Sequence, residues 1–66
     1  MELAIDTSTE MASIALSRSG VVEAELTWPS GHNQTAELVP NILHLLHQAK
    51  IGLHQIDAII VARGPG

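Results

Sequence analysis

The sequence contains no cysteine and almost no aromatic residues, since Trp28 is the sole aromatic side chain among 66 residues. Without cysteine the chain has neither disulfides nor a thiolate metal site. Apolar residues nevertheless make up 45% of the chain, which is typical of a folded protein and not of a disordered one. The core is therefore expected to be aliphatic. It is also small, because a chain of this length buries only about 60% of its unfolded surface.

Basic residues are equally scarce. Arg18, Lys50 and Arg63 are the only ones, and the formal net charge is -4. Direct binding to nucleic acid or to an anionic membrane needs clustered Lys and Arg, so this composition disfavours both. No apolar run approaches the ~20 residues of a membrane helix, and the residues after Met1 lack the features of a signal peptide. We therefore expect a cytoplasmic protein without membrane association.

Three segments in the first half have the pattern of β-strands. Residues 3–5 form a short apolar run, and residues 11–17 and 21–28 alternate between apolar and polar with a period of two. In the third segment the alternation places Val22 on the same face as Ala24, Leu26 and Trp28. Ser19-Gly20 is a hairpin signal between the second and third segments. The sequence thus predicts a three-stranded antiparallel meander.

A helix is predicted over residues 34–50, with Asn33 as its N-cap and with Lys50 and Gly52 at its end. Pro40 lies inside it and removes one backbone hydrogen bond, so we expect one bent helix, with two short helices as the alternative. The apolar positions span an arc of roughly 160°, wider than the stripe that covers one sheet face. One flank of the helix is therefore expected to contact something beyond the sheet. The apolar positions are Leu38, Val39, Ile42, Leu43, Leu45, Leu46 and Ala49.

The last segment, residues 56–62, is apolar on both faces apart from Asp57, which is typical of a central parallel strand. A right-handed crossover through the helix places this strand beside the first one and gives the order 3-2-1-4. The predicted fold class is therefore α/β. Because such a strand needs a neighbour on each side, we expect residues 1–66 to be the N-terminal part of a longer domain.

The carboxyl ends of the first and last strands meet at a point where the strand order reverses, and ligands favour such points. Asp6, Thr7 and Ser8 on one side, with Gly64 and Gly66 on the other, could bind a phosphate or a Mg²⁺ ion there. The alternative is that Asp6, Thr7 and Ser8 only cap the hairpin through side-chain hydrogen bonds, and composition alone favours this alternative.

Two histidines on the predicted helix, His44 and His47, have an i, i+3 spacing that can ligate a metal. No H-E-x-x-H pattern and no cysteine accompany them. Solvated histidines on the polar face of the helix are therefore the favoured interpretation, and no metal site is assigned.

Three stretches of the sequence form a recognisable series of motifs. The first is Leu-Ala-Ile-Asp-Thr-Ser-Thr-Glu at residues 3–10, followed by the alternating residues 12–16. The second is His-Asn-Gln-Thr-Ala-Glu-Leu-Val-Pro at residues 32–40, with its proline inside the helix. The third is Ile-Ile-Val-Ala-Arg-Gly-Pro-Gly at residues 59–66. In these motifs and in their order the chain resembles the TsaB (YeaZ) family. The resemblance covers the whole chain, which would be about the first third of a family member.

The resemblance implies the actin-like ATPase (ribonuclease H-like) fold. It also implies a non-catalytic partner or dimerisation subunit in the formation of threonylcarbamoyladenosine on tRNA next to the anticodon. Its partners would be a TsaD-like catalytic subunit and a TsaE-like ATPase, with tRNA contacted only indirectly and a homodimer also allowed. ATP or ADP and Mg²⁺ belong to the assembled complex, and no cofactor is assigned to this segment. Ser8 stands where nucleotide-binding members of the wider fold have Gly, which disfavours phosphate binding.

In the family, the first helices pack against those of TsaD, so the resemblance assigns the partner contact to the predicted helix. The residues chosen for that contact are Glu37, Asn41, His44 and Gln48 on its exposed side and Leu45 at its flank.

Two other hypotheses for the function remain. One is a small-molecule kinase of the actin-like fold that uses Asp6 and Thr7 at the phosphates. The other is an inactive, truncated fragment.

Overall fold

A computed structural model describes residues 1–7, 10–29 and 34–63 of the chain. Four strands, one α-helix and one short 3₁₀ helix follow each other in these residues. Their bounds are β1 Glu2–Thr7, β2 Met11–Arg18, β3 Val21–Pro29, α1 Gln34–Ala49, the 3₁₀ helix Leu53–Gln55, and β4 Ala58–Arg63. The predicted N-cap, Asn33, lies outside the described residues.

The strands form one sheet in the order β3-β2-β1-β4, and β4 runs parallel to β1. Both features confirm the sequence-based prediction. Ile5 of β1 is the clearest reference point, because it pairs with Ile14 of β2 on one side and with Val61 of β4 on the other. The crossover through α1 therefore places the last strand next to the first.

The β2–β3 hairpin turns at Ser19 and Gly20, whose φ angles are 53° and 80°. Positive φ at both central residues is typical of a type I′ turn, the hairpin turn whose twist matches that of the strands. The register then shifts between Leu16 and Ser17, so that Ser17 pairs with Val22 while Leu16 pairs with Ala24. The prediction that Val22 shares a face with Ala24 is therefore wrong. The irregularity moves Val22 off that face, and its side chain is exposed.

The core lies between α1 and one face of β1, β2 and β3. Ile14 and Leu16 are its most deeply buried large side chains, and Trp28 is also buried in it. The other buried members are Leu3, Ile5, Ala12, Leu45 and Leu46. The buried residues of the strands alternate in sequence because every second side chain points to the helix. The helix packs against the β3 side of the sheet and leaves β4 uncovered.

The helix continues without interruption through Pro40, which confirms one helix and not two. It ends at Ala49, and Lys50 follows with a φ of 58°. The Lys50 N–H donates to the His47 carbonyl at 3.1 Å and the Ile51 N–H donates to the Leu46 carbonyl at 2.9 Å. This pair of bonds is the Schellman motif. Lys50, and not the predicted Gly52, is thus the left-handed residue that ends the helix.

The last strand begins two residues later than predicted. The Ile56 N–H donates to the Leu53 carbonyl at 3.1 Å and therefore still belongs to the 3₁₀ turn, and the Asp57 N–H donates to the Met1 carbonyl at 2.8 Å.

Within the part of the chain that the structure describes, no helix has the length and apolar character needed to cross a membrane.

Candidate functional site

The carboxyl ends of β1 and β4 lie side by side, as the sequence predicts. The register pairs Asp6 with Ala62 and Thr7 with Arg63. The remaining members of the predicted anion site, Ser8, Gly64 and Gly66, lie outside the described residues. The structure thus brings Asp6 and Thr7 to the expected strand end. Their proposed role in anion binding stays a prediction.

Asp6 belongs to a row of polar side chains that crosses three strands. It pairs with Ser13 of β2, and Ser13 pairs with Thr27 of β3, so that a carboxylate and two hydroxyls share the sheet face opposite α1. These residues, with Met11 and Ala12, line a depression of about 140 Å³. Pockets for drug-sized ligands typically measure roughly 300–1,000 Å³. The depression is smaller than such pockets and has room for an ion or a few waters.

The residues chosen for partner contact do not all lie on one surface of α1. His44 and Gln48 are exposed, and Glu37 and Asn41 are half-buried along the same side of the helix. Leu45, in contrast, is 6% exposed and packs in the core with Leu46. Leu45 thus supports the helix from inside, and the remaining four residues form the polar flank of α1.

A second, apolar flank lies on the other side of the buried stripe of α1. Val39 and Leu43 are 59% and 53% exposed, and they stand one helical turn apart, so their side chains are neighbours. The partner-contact residues predicted from the sequence did not include Val39 or Leu43. The signal for it was the apolar arc of roughly 160°, since an arc that wide cannot be buried entirely against one sheet face.

The two flanks of α1 are separated by the side chains that face the sheet. The polar flank offers hydrogen-bond donors and acceptors, and the apolar flank offers the surface that helix–helix contacts bury. Exposed apolar side chains one turn apart on a surface helix are typical of a site that packs against another helix. The exposed apolar flank of α1 is therefore a candidate surface for packing against another helix.

No family model matches the chain. The chain is 38% identical over 64 residues to the tRNA threonylcarbamoyladenosine biosynthesis protein TsaB of Haemophilus influenzae. It is 38% identical over 65 residues to the protein of the same name from Escherichia coli. Each alignment covers 97% of this chain but 27% of the relative.

A solved structure agrees with these similarities. YeaZ from Pseudomonas aeruginosa matches with a TM-score of 0.83 at 37% sequence identity, over 98% of this chain and 30% of that chain. The chain thus spans less than a third of the length of these relatives. Over that N-terminal segment, the chain belongs to the TsaB (YeaZ) family.

Proposed function

We propose that the chain supplies the N-terminal part of a partner subunit for the formation of threonylcarbamoyladenosine on tRNA. It does so without carrying out catalysis itself. A TsaD-type subunit performs the chemistry, a TsaE-type ATPase joins the assembly, and tRNA meets the complex through those partners. Two relatives whose names state this biosynthetic role support the proposal.

The observation that carries the proposal is the exposed apolar flank of α1. Val39 and Leu43 are more than half exposed, whereas the other leucine and isoleucine side chains of the helix are buried or half-buried. A second helix packed along this flank would remove that apolar area from water, at roughly 25 cal/mol per Å². The polar flank, with Glu37, Asn41, His44 and Gln48, then forms the hydrogen-bonding margin of the contact.

A chimera tests the function. The N-terminal 27% of Haemophilus influenzae TsaB is replaced by this chain, and threonylcarbamoyladenosine on tRNA is measured in a reaction with TsaD-type and TsaE-type subunits. The chimera is expected to support modification and to be captured by the TsaD-type subunit. Failure of both readouts, with the chimera folded, would overturn the proposal.

Two double variants of the chimera decide which flank makes the contact. Val39→Gln with Leu43→Gln removes the apolar flank and keeps good helix formers, and we expect partner binding to fall by about tenfold or more. His44→Ala with Gln48→Ala changes the polar flank of the same helix and is the matched control, with a smaller expected loss. The reverse ranking would assign the contact to the polar flank.

The small-molecule kinase hypothesis keeps Asp6 and Thr7 as its proposed phosphate residues. Phosphate binding there would need a cation, because the Asp6 carboxylate repels anions. The depression beside Asp6, of about 140 Å³, has room for such an ion. The kinase activity therefore stays a prediction, and phosphorylation of a small substrate by the chimera would support it.

A further inference from the structure

Pro40 lies in the interior of α1, and the helix continues through it. Because proline has no backbone N–H, the hydrogen bond that position 40 would donate to the Ala36 carbonyl is not made, and the proline ring crowds that carbonyl. In the first turns of a helix the N–H groups lack partners, whereas the carbonyls are normally bonded. The Ala36 carbonyl is thus an acceptor that has lost its helical donor.

The freed carbonyl belongs to an apolar face of α1. Ala36, Val39, Pro40 and Leu43 have the spacing i, i+3, i+4, i+7 and therefore share one face of the helix. All four are exposed, Val39 at 59% and Leu43 at 53%. Their side chains carry no polar atom, so the carbonyl introduces a polar group into a surface that is otherwise apolar. Ala36 has the smallest side chain of the four and hinders access to its carbonyl least.

This carbonyl changes what the apolar face can bind. Water satisfies an exposed carbonyl, but a helix that packs on this face removes that water. A buried acceptor that loses water without gaining another donor is costly, so the contact is weakened unless the partner supplies an N–H or O–H group. The carbonyl therefore discriminates between helices that fit the apolar face equally well, because it disfavours those without a donor at that point.

We propose that the Ala36 carbonyl accepts a hydrogen bond from a donor side chain on the partner helix that packs against Val39 and Leu43. The donor belongs to a serine, threonine, asparagine, glutamine, lysine or arginine side chain. Along the α1 axis it lies roughly 5.4 Å, one helical turn, before the side chain that packs on Leu43. This inference rests on the proposed function, because the partner is the same TsaD-type subunit, and it names the chemistry by which α1 recognises that subunit.

Pro40→Ala in the chimera tests this role. Alanine restores the N–H, which bonds to the Ala36 carbonyl inside the helix and makes that carbonyl unavailable to the partner. The melting temperature of the chimera is therefore expected to rise. Its affinity for the TsaD-type subunit is expected to fall about threefold to tenfold, the usual effect of one hydrogen bond. Equal or higher affinity would overturn the proposal.

Pro40→Val is the matched control for any contact made by the proline ring. Valine keeps three apolar side-chain carbons but supplies the N–H, so the same loss of affinity is expected as for Pro40→Ala. Full binding by Pro40→Val would mean that the ring, and not the carbonyl, makes the contact, and this result would overturn the proposal.

Nuclear magnetic resonance observes the carbonyl itself. Within residues 1–66, Ala24 and Ala36 are the alanines that precede a glutamate, so ¹³C-carbonyl alanine combined with ¹⁵N-glutamate selects their carbonyls. Saturation with the TsaD-type subunit is expected to move the Ala36 resonance downfield, as hydrogen bonding does, and to leave that of Ala24 in β3 unchanged. Val39→Ala shortens a neighbouring contact but leaves the carbonyl free, so it should weaken binding and keep the same shift at saturation.

Other occupants of this face give different results. An Ala36 resonance that is already downfield in the free chimera, and does not move on binding, would assign the donor to the same polypeptide and would overturn the proposal. If the chimera binds the TsaD-type subunit and the resonance stays unshifted, this inference alone fails. If the folded chimera does not bind that subunit at all, the proposed function fails and this inference fails with it.

Discussion

The amino group of Met1 donates a hydrogen bond to the Asp57 carboxylate at 2.9 Å, and the Asp57 N–H donates back to the Met1 carbonyl at 2.8 Å. These two reciprocal bonds fasten the start of β1 to the residue just before β4. They join positions 56 residues apart and fix where the parallel pair begins.

The ion pair between Met1 and Asp57 is expected to contribute little to stability. The Asp57 side chain is 80% exposed, and exposed pairs are typically worth about 0–1 kcal/mol. Asp57→Asn removes the charge and keeps the backbone bond, so the free energy of unfolding should fall by less than about 1 kcal/mol. Denaturant titration measures it, and the difference should shrink as salt is added. A larger loss that salt does not change would contradict this prediction.

Burial, and not residue type, should decide the effect of removing one methyl group from a strand. Ile14→Val, at a side chain that is almost completely buried, is expected to cost about 0.5–1.5 kcal/mol. Ile59→Val makes the same chemical change at an exposed position and should stay within about 0.5 kcal/mol. Both are measured by denaturant unfolding. Equal costs would show that the Ile59 side chain is as buried in solution as that of Ile14.

Trp28 is 8% exposed, and none of the described groups accepts a hydrogen bond from its buried Nε1. Trp28→Phe loses apolar area but also removes an unsatisfied donor that costs about 1–3 kcal/mol, so its net effect should be below about 1 kcal/mol. Trp28→Ala should cost about 3–5 kcal/mol, because it leaves a cavity under α1. Thermal unfolding followed by circular dichroism compares the two. Similar losses for both variants would show that Nε1 makes a bond essential to the fold.

Lys50 ends α1 in the left-handed region, which costs an L-residue roughly 1–2 kcal/mol. Lys50→Gly is therefore expected to stabilise the chain by up to about 1 kcal/mol. Lys50→Ala is the control, because it removes the same charge without providing the conformational freedom of glycine. The shift in melting temperature measures both, and Lys50→Gly should exceed Lys50→Ala. A destabilised glycine variant would mean that the lysine side chain stabilises the end of the helix.

Sheet order was predictable from sequence because its determinants are visible as patterns along the chain. Period-two alternation predicts the hairpin strands, and Ser19-Gly20 predicts their turn. The helix between two apolar strand segments predicts a crossover and a parallel pair of strands. None of these requires the positions of individual core side chains.

Three features were not predictable, for physical reasons. One extra residue in β3 moves Val22 off its expected face, and alternation alone cannot locate such an irregularity. The burial of Leu45 depends on where α1 lies over the sheet, which is a matter of tertiary packing. Lys50 adopts the conformation that glycine favours, although a glycine follows two residues later.

The single indole of this chain also has a practical consequence. Trp28 lies under α1, and no tyrosine or phenylalanine competes with it for absorption or emission. The intrinsic fluorescence of residues 1–66 therefore comes from the junction of helix and sheet. Loss of that junction should shift the emission to longer wavelength, while an event confined to the far edge of the sheet should leave the spectrum unchanged.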